Sequence, residues 1–184
     1  MPPSPQLTPV ESDIAATLVA TLRDIPDFPK KGVVFKDLTP VFAAPAVFNA
    51  LIRDMASRYA GRVEIVAGIE ARGFIFGAAI AHQLGVGFVP IRKAGKLPGD
   101  TVAASYSLEY GSAEIEVHSD AFAPGVRVVV VDDVLATGGT AAAACGLVER
   151  AGATVVGFEA ALELAFLHGR TRLTAYKVHT VATV

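Results

Sequence analysis

The sequence predicts an α/β domain with a doubly wound, mainly parallel sheet flanked by helices, on three observations. Between Val63 and Leu162, short Val/Ile-rich runs alternate with helical stretches, the pattern of strands buried on both faces. The intervals between those runs leave room for crossover helices, which are right-handed in parallel sheets. One run, Val126–Val131, leads straight into two carboxylates and a glycine-rich turn, at the strand edge where such sheets bind ligands. A chain of 184 residues, 52% hydrophobic and 18% charged, suits one domain with a proper core and excludes a disordered polymer.

Taken in order, residues 1–10 read as a disordered leader, with prolines at 2, 3, 5 and 9. Ile14, Leu18, Val19 and Leu22 recur at helical spacing and predict a helix between Val10 and Arg23. Two prolines and a glycine in Ile25–Gly32 break it, and Val33-Val34-Phe35 follows as a short extended stretch. Val47, Leu51, Ile52 and Met55 predict a second helix over Ala46–Tyr59. Val63–Ala67 and Gly87–Ile91 read as strands around a helix from about Phe74 to Leu84. Lys93–Asp100 holds Gly95, Pro98 and Gly99, with Leu97 as its one apolar anchor, and is expected to be mobile. Ser105–Tyr110 and Ala113–His118 alternate with period two across Gly111-Ser112, which predicts an inserted antiparallel hairpin. Val126–Val131, a helix over Thr140–Arg150 and a strand over Thr154–Leu162 complete the pattern.

Composition narrows the function classes. Lys plus Arg number 16 against 18 Asp plus Glu, for a net charge of −2; without a basic field, nucleic acid is not an expected partner. No apolar run approaches the roughly 20 residues of a bilayer span. The first residues lack the basic start and apolar stretch of a signal peptide, so a cytoplasmic, membrane-free protein is expected. A single cysteine, Cys145, excludes a disulfide framework or thiolate cluster and reads as a small core residue. His82, His118, His168 and His179 show no metal-ligand spacing.

The chemistry concentrates in Val128–Thr140, which reads VVVVDDVLATGGT. Adjacent Gly138 and Gly139 let the backbone wrap a tetrahedral anion with its N–H groups inward. A helix beginning there adds about half a positive charge, and Thr137 and Thr140 add hydroxyl donors. Asp132 and Asp133 repel phosphate and need another partner, either vicinal sugar hydroxyls or a magnesium ion on the same ligand. A ribose 5-phosphate group meets both halves of the motif. Neither GxxxxGK[ST] nor GxGxxG occurs, which argues against triphosphate hydrolysis and dinucleotide binding.

That stretch resembles the signature of the type I phosphoribosyltransferases. Gly68–Phe74 (GIEARGF), Arg92–Pro98 (RKAGKLP) and Ser105–Gly111 (SYSLEYG) narrow the resemblance to the adenine-using members, over about Phe28 to Glu163. The resemblance implies the type I fold with a small N-terminal hood near 25–40 and a flexible loop and hairpin over 93–118. It implies phosphoribosyl transfer from phosphoribosyl pyrophosphate to adenine, with Mg2+ required and a homodimer as the working unit. Ribose 5-phosphate would be held by Asp132, Asp133, Ala136, Thr137, Gly138, Gly139 and Thr140, with Asp132 and Asp133 also available to magnesium. Pyrophosphate would be held by Glu70, Ala71, Arg72, Arg92 and Lys96, with a cis peptide at Glu70–Ala71; the Arg92–Lys96 segment could serve its own or a neighbouring subunit's site. Val34, Phe35, Lys36 and Leu135 would form the adenine site, with Ala136 walling the purine. Glu109 is the implied catalytic residue at adenine N7, either donating a proton or accepting one, and Tyr110 closes beside it. Competing readings are the same chemistry on another base, a non-catalytic sensor of phosphoribosyl pyrophosphate, and a flavodoxin-like binding module. The leader and the tail from Phe166 onward follow the family less closely.

Overall fold

The computed structural model describes residues 13–107 and 112–184. The chain divides into two compact units, one ending at Asp54 and one running from Met55 to Val184. Length alone predicts one domain; the first unit separates because its two strands pair only with each other.

The first unit opens with α1 (Ile14–Thr21), whose cap is the Asp13 carboxylate accepting from Ala16 N at 3.0 Å. β1 (Arg23–Pro26) and β2 (Val34–Asp37) form an antiparallel pair in the register Arg23↔Asp37 to Pro26↔Val34. The sequence does not announce β1, because its proline suits only a strand end or edge. α2 (Thr39–Ala43) and the start of α3 (Pro45–Ser57) follow. Asp37 ties β2 to both neighbours. Its Oδ1 accepts from Thr39 N at 2.9 Å, and its Oδ2 accepts from Thr39 Oγ1 at 2.7 Å and Arg23 Nη2 at 2.5 Å.

The second unit holds a seven-stranded sheet. Its strands are β3 (Ile65–Ile69), β4 (Gly87–Lys93), β5 (Thr101–Ser107), β6 (Ser112–His118), β7 (Arg127–Leu135), β8 (Thr154–Glu163) and β9 (Val178–Thr183), in the order β5-β6-β4-β3-β7-β8-β9. The five strands from β4 to β9 are parallel, and the hairpin β5–β6 joins the β4 edge antiparallel. α4 (Gly73–Leu84) packs on β3, β4 and β7, and α5 (Gly139–Arg150) on β5 through β8. A Cβ at Gly68 or Gly77 would meet the Phe88 ring at 2.8 or 2.9 Å, so these glycines set how closely α4 lies on the sheet. Val128 to Val131 are fully buried, as the apolar run predicts.

Two departures matter for the site. β7 runs four residues past Val131, because Asp132, Val134 and Leu135 continue the ladder with β8. Beyond Glu163 the chain makes two short 3-10 turns, Ala165–Leu167 and Gly169–Arg172, and then adds β9 at the sheet edge. That strand's alternation is too weakly apolar to read in advance.

The Thr39 amide and hydroxyl, with Arg23 beside them, pull the Asp37 carboxyl down to about 2 from its ordinary value near 3.8. Its stabilising contribution is therefore complete above the ordinary value and is lost as pH falls through the folded one. Asp37→Asn should melt lower than wild type at pH 7, with the gap closing between about pH 4 and pH 2. Thermal melts showing a gap independent of pH would contradict this.

Candidate functional site

β3 has β4 on one side and β7 on the other. The chain leaves β3 for β4 in one direction and later returns to lay β7 in the other. That reversal opens a crevice beyond the carboxyl ends of β3 and β7, the general ligand position in open α/β sheets. Glu70, Ala71 and Arg72 follow β3 there, and Ala136 to Thr140 follow β7.

The second of these loops forms a cradle. A pocket of about 70 Å3 is lined by Asp132 and by residues 134–141, room for several water-sized groups at about 10–15 Å3 each. Gly138 caps α5 at φ 77° without any side-chain hydrogen bond, a conformation that favours glycine. The first amides of α5, at Gly139, Thr140 and Ala141, precede any intrahelical acceptor. With the helix dipole they make this end of the pocket attractive to an anion.

The strand's alternation separates the two acids. Asp132 belongs to the pocket wall, and its Oδ1 accepts from Asp133 N at 2.9 Å. Asp133 is buried, and its Oδ2 forms an ion pair with Arg72 Nε at 2.5 Å. Burial, followed by the neighbouring Asp133 carboxylate, pushes the Asp132 carboxyl well above its ordinary value, with the Arg72 guanidinium acting in the opposite direction. A ligand that offers hydroxyl donors or a cation to Asp132 relieves that penalty.

Glu70 and Glu116 organise the other cations. Glu70 Oε2 accepts from Lys93 N at 2.9 Å and from Arg92 Nε at 3.3 Å; these bonds hold its carboxyl below the usual value. Arg92 Nη1 donates to Lys96 O at 3.0 Å. Glu116 Oε1 accepts from both Lys96 N and Leu97 N at 2.9 Å. The stretch expected to be mobile for want of an apolar anchor is thus tied to β6 by a carboxylate. The Glu70–Ala71 peptide is cis, as the resemblance implies.

The sequence-predicted residues fall into three places. Asp132, Leu135, Ala136, Thr137, Gly138, Gly139 and Thr140 line one pocket, with Asp133 and Arg72 paired beside it. Glu70, Arg92 and Lys96 form a second group. Val34, Phe35 and Lys36 lie on β2 in the first unit. Val34 is half exposed, Phe35 meets the Phe28 ring edge-on at 5.2 Å, and Lys36 Nζ pairs with Asp24 at 2.8 Å. Val33 O accepts from Phe28 N on the β1 side, so by alternation the main-chain groups of Val34 and Lys36 point away from β1. Glu109 and Tyr110 lie outside the described residues. Sequence reasoning missed Glu116, for which a lone acid on a strand offers no signal. Burial pushes the Cys145 thiol up to about 12, with Glu149 adding to the effect, in keeping with a core residue. Among the described residues, no three His, Cys, Asp or Glu side chains group as a metal site.

Residues 41–178 match the phosphoribosyl transferase domain. An adenine phosphoribosyltransferase of Salinispora tropica is 60% identical over 172 residues, covering 92% of this chain and 91% of that protein. The crystal structure of the adenine phosphoribosyltransferase from Rhodothermus marinus superposes with a TM-score of 0.88 at 48% identity, over 94% of this chain and 99% of that one. The corresponding Saccharomyces cerevisiae structure, in complex with an imino-altritol bisphosphate and adenine, has a TM-score of 0.88 at 41% identity, over 92% and 99%.

Arg72→Met leaves the buried Asp133 carboxylate without that counter-charge beside Asp132. Because the Arg72 side chain is 39% exposed, the expected loss of stability is a screened one, about 1–3 kcal/mol in chemical denaturation. Adding Asp133→Asn should return most of it. An Arg72→Met protein as stable as wild type would mean the pair contributes nothing to folding.

Proposed function

We infer that the chain, which belongs to the phosphoribosyltransferase family and within it to the adenine phosphoribosyltransferases, is a purine salvage enzyme. It transfers the phosphoribosyl group of 5-phospho-α-D-ribose 1-diphosphate to adenine, giving AMP and pyrophosphate. The observation that carries the site assignment is the cradle itself: a pocket bounded by Asp132 and the Thr137–Thr140 turn at the head of α5, beyond β7 at the switch point.

In this reading the amides of residues 137–140, with the Thr137 and Thr140 hydroxyls, take the 5′-phosphate, and Asp132 accepts from the ribose hydroxyls. Asp133 acts one step back by orienting Arg72. Adenine N9 forms the new bond to the anomeric carbon as the bond to the pyrophosphate oxygen breaks. Positive charge develops on the sugar ring and negative charge on the leaving group. Arg72, Arg92 and Lys96 are the cations assigned to that leaving group. The carboxylate on Arg72 and the one on Arg92 are already in place, so little reorganisation is needed when charge develops. Glu70 contributes its main chain and holds Arg92 through its carboxylate. Ala71 contributes through its backbone.

The proposed cofactor is Mg2+. As the resemblance implies, such an ion would be held mainly by substrate oxygens and water. Asp132 and Asp133 are the carboxylates at hand. When bound, the ion offsets charge on the pyrophosphate.

Within the first unit, adenine is assigned to the main-chain groups of Val34 and Lys36, with Phe35 beside them. β2 has β1 on one side and, among the described residues, no strand on the other, which suits recognition of a base edge by backbone. A C=O accepting from the 6-amino group rejects a 6-oxo purine, because the wrong base leaves buried groups unpaired. Glu109 is assigned to N7, either donating a proton there or accepting one, and Tyr110 closes over the base. A homodimer in the cytoplasm completes the proposal. In it the Arg92–Lys96 segment serves its own site or its neighbour's.

Initial-rate assays over a panel of bases should give AMP from adenine, with hypoxanthine and guanine poor substrates; equal use of hypoxanthine would sink the base assignment. Glu109→Gln should lower kcat at least about tenfold while leaving the affinity for phosphoribosyl pyrophosphate nearly intact. Wild-type turnover in that variant would remove Glu109 from the mechanism.

A further inference from the structure

The cradle has a back wall that the pocket itself does not reveal. A Cβ added at Gly138 would run into the Gly169 carbonyl, and one added at Gly169 would run into the Ala136 carbonyl and lie 3.0 Å from the Gly138 nitrogen. The two glycines therefore pack main chain against main chain. Gly169 is buried, yet it is absent from the pocket lining, so it stands behind the loop rather than in the site.

Its own position is fixed by the next residue. Arg170 Nε donates to both Glu163 oxygens, at 2.9 and 2.7 Å. Its Nη1 donates to Val178 O at 2.9 Å and its Nη2 to Thr180 Oγ1 at 2.8 Å. Thr180 Oγ1 in turn donates to Glu163 Oε2 at 3.0 Å. Glu163 is buried and sits opposite Leu135 in the β7–β8 ladder. The strap formed by residues 164–173 is pinned at both ends, by Leu164 N donating to Leu135 O at 3.0 Å and by buried Leu173. One guanidinium thus ties the turn at Gly169 to β8 and β9, immediately behind the loop that leaves β7.

We propose that Gly169, locked by the Arg170–Glu163–Thr180 network, is a positioning element for the 5′-phosphate site, bracing Ala136–Gly138 so that the cradle amides converge on one anion. Main-chain donors cannot change rotamer to follow a displaced ligand, and a shift near 1 Å in such a site costs on the order of a hundredfold in rate. The proposal rests on the functional reading above and adds to it a part of the chain that touches no substrate.

The test is calorimetric titration of ribose 5-phosphate into the wild type, Gly169→Ala and Arg170→Gln, alongside KM values for phosphoribosyl pyrophosphate and for adenine. Gly169→Ala should weaken ribose 5-phosphate and raise KM for phosphoribosyl pyrophosphate at least about tenfold, with KM for adenine moving less than about twofold. Arg170→Gln, which keeps the glycine and only loosens the strap, should move the same constants in the same direction by a smaller factor. A folded Gly169→Ala protein with wild-type affinity for ribose 5-phosphate overturns the proposal, and so does an equal loss for adenine, which would mark general damage. Should Gly169→Ala not fold, Arg170→Gln decides alone: an unchanged affinity overturns the brace and a weakened one supports it. A wild type that does not bind ribose 5-phosphate defeats the functional reading and the brace together, whereas binding unaffected by either variant defeats only the brace.

Discussion

The parallel pairing of β3 with β7 is the contact on which the site depends. Its register, Ile65↔Val128 through Gly68↔Val131, brings the carboxyl ends of the two strands to one level. The Glu70–Arg72 loop and the Asp132–Thr140 segment, more than fifty residues apart in sequence, then meet. The Arg72–Asp133 ion pair closes the junction. A slip of one residue would send Asp132 to Asp133's face and Asp133 to the pocket. The full burial of Val128 to Val131 makes such a slip costly, because it would exchange core contacts along the whole strand.

Two guanidiniums at the crevice are paired before any ligand arrives. Arg72 has Asp133, and Arg92 has Glu70. Pre-paired guanidiniums keep their orientation and lose little side-chain entropy when an anion joins them. Asp132 differs from its neighbours, since burial and the Asp133 charge both work against its ionisation. It is the group with most to gain from a donor-rich partner. That acid and the first amides of α5 border one pocket, so a donor-accepting wall and an anion-attracting end lie side by side.

The far edge of the sheet shows how buried carboxylates substitute for apolar packing. Glu159, fully buried on β8, accepts from Tyr59 Oη at 2.9 Å and pairs with Arg58 at 3.4 Å. Arg58 Nε also donates to His179 Nε2 at 2.9 Å, which reaches β9. With the Arg170 network a few residues along, these bonds hold β9 to β8 where the strand's own side chains bury little. Polar cross-links of this kind need several partners each, because a buried charge left short of one is expensive.

Much of the fold and part of the site are legible in the sequence. The central strands and α4 and α5 follow from periodicity, since strands buried on both faces and helices covering them each need long apolar patterns. The glycine turn after β7 is legible because its geometry is local: four consecutive residues, one glycine at positive φ, one helix start. The sequence does not say where β7 ends, because polar side chains read as a loop while their backbone still has β8 to pair with. Nor does it reveal β1, β9, the Glu116 anchor, the separation of Asp132 from Asp133 or the Gly138–Gly169 contact. Those depend on which segments become neighbours when the sheet is assembled, and hydrogen bonds or van der Waals contacts between separate segments leave no periodic trace in the chain that makes them.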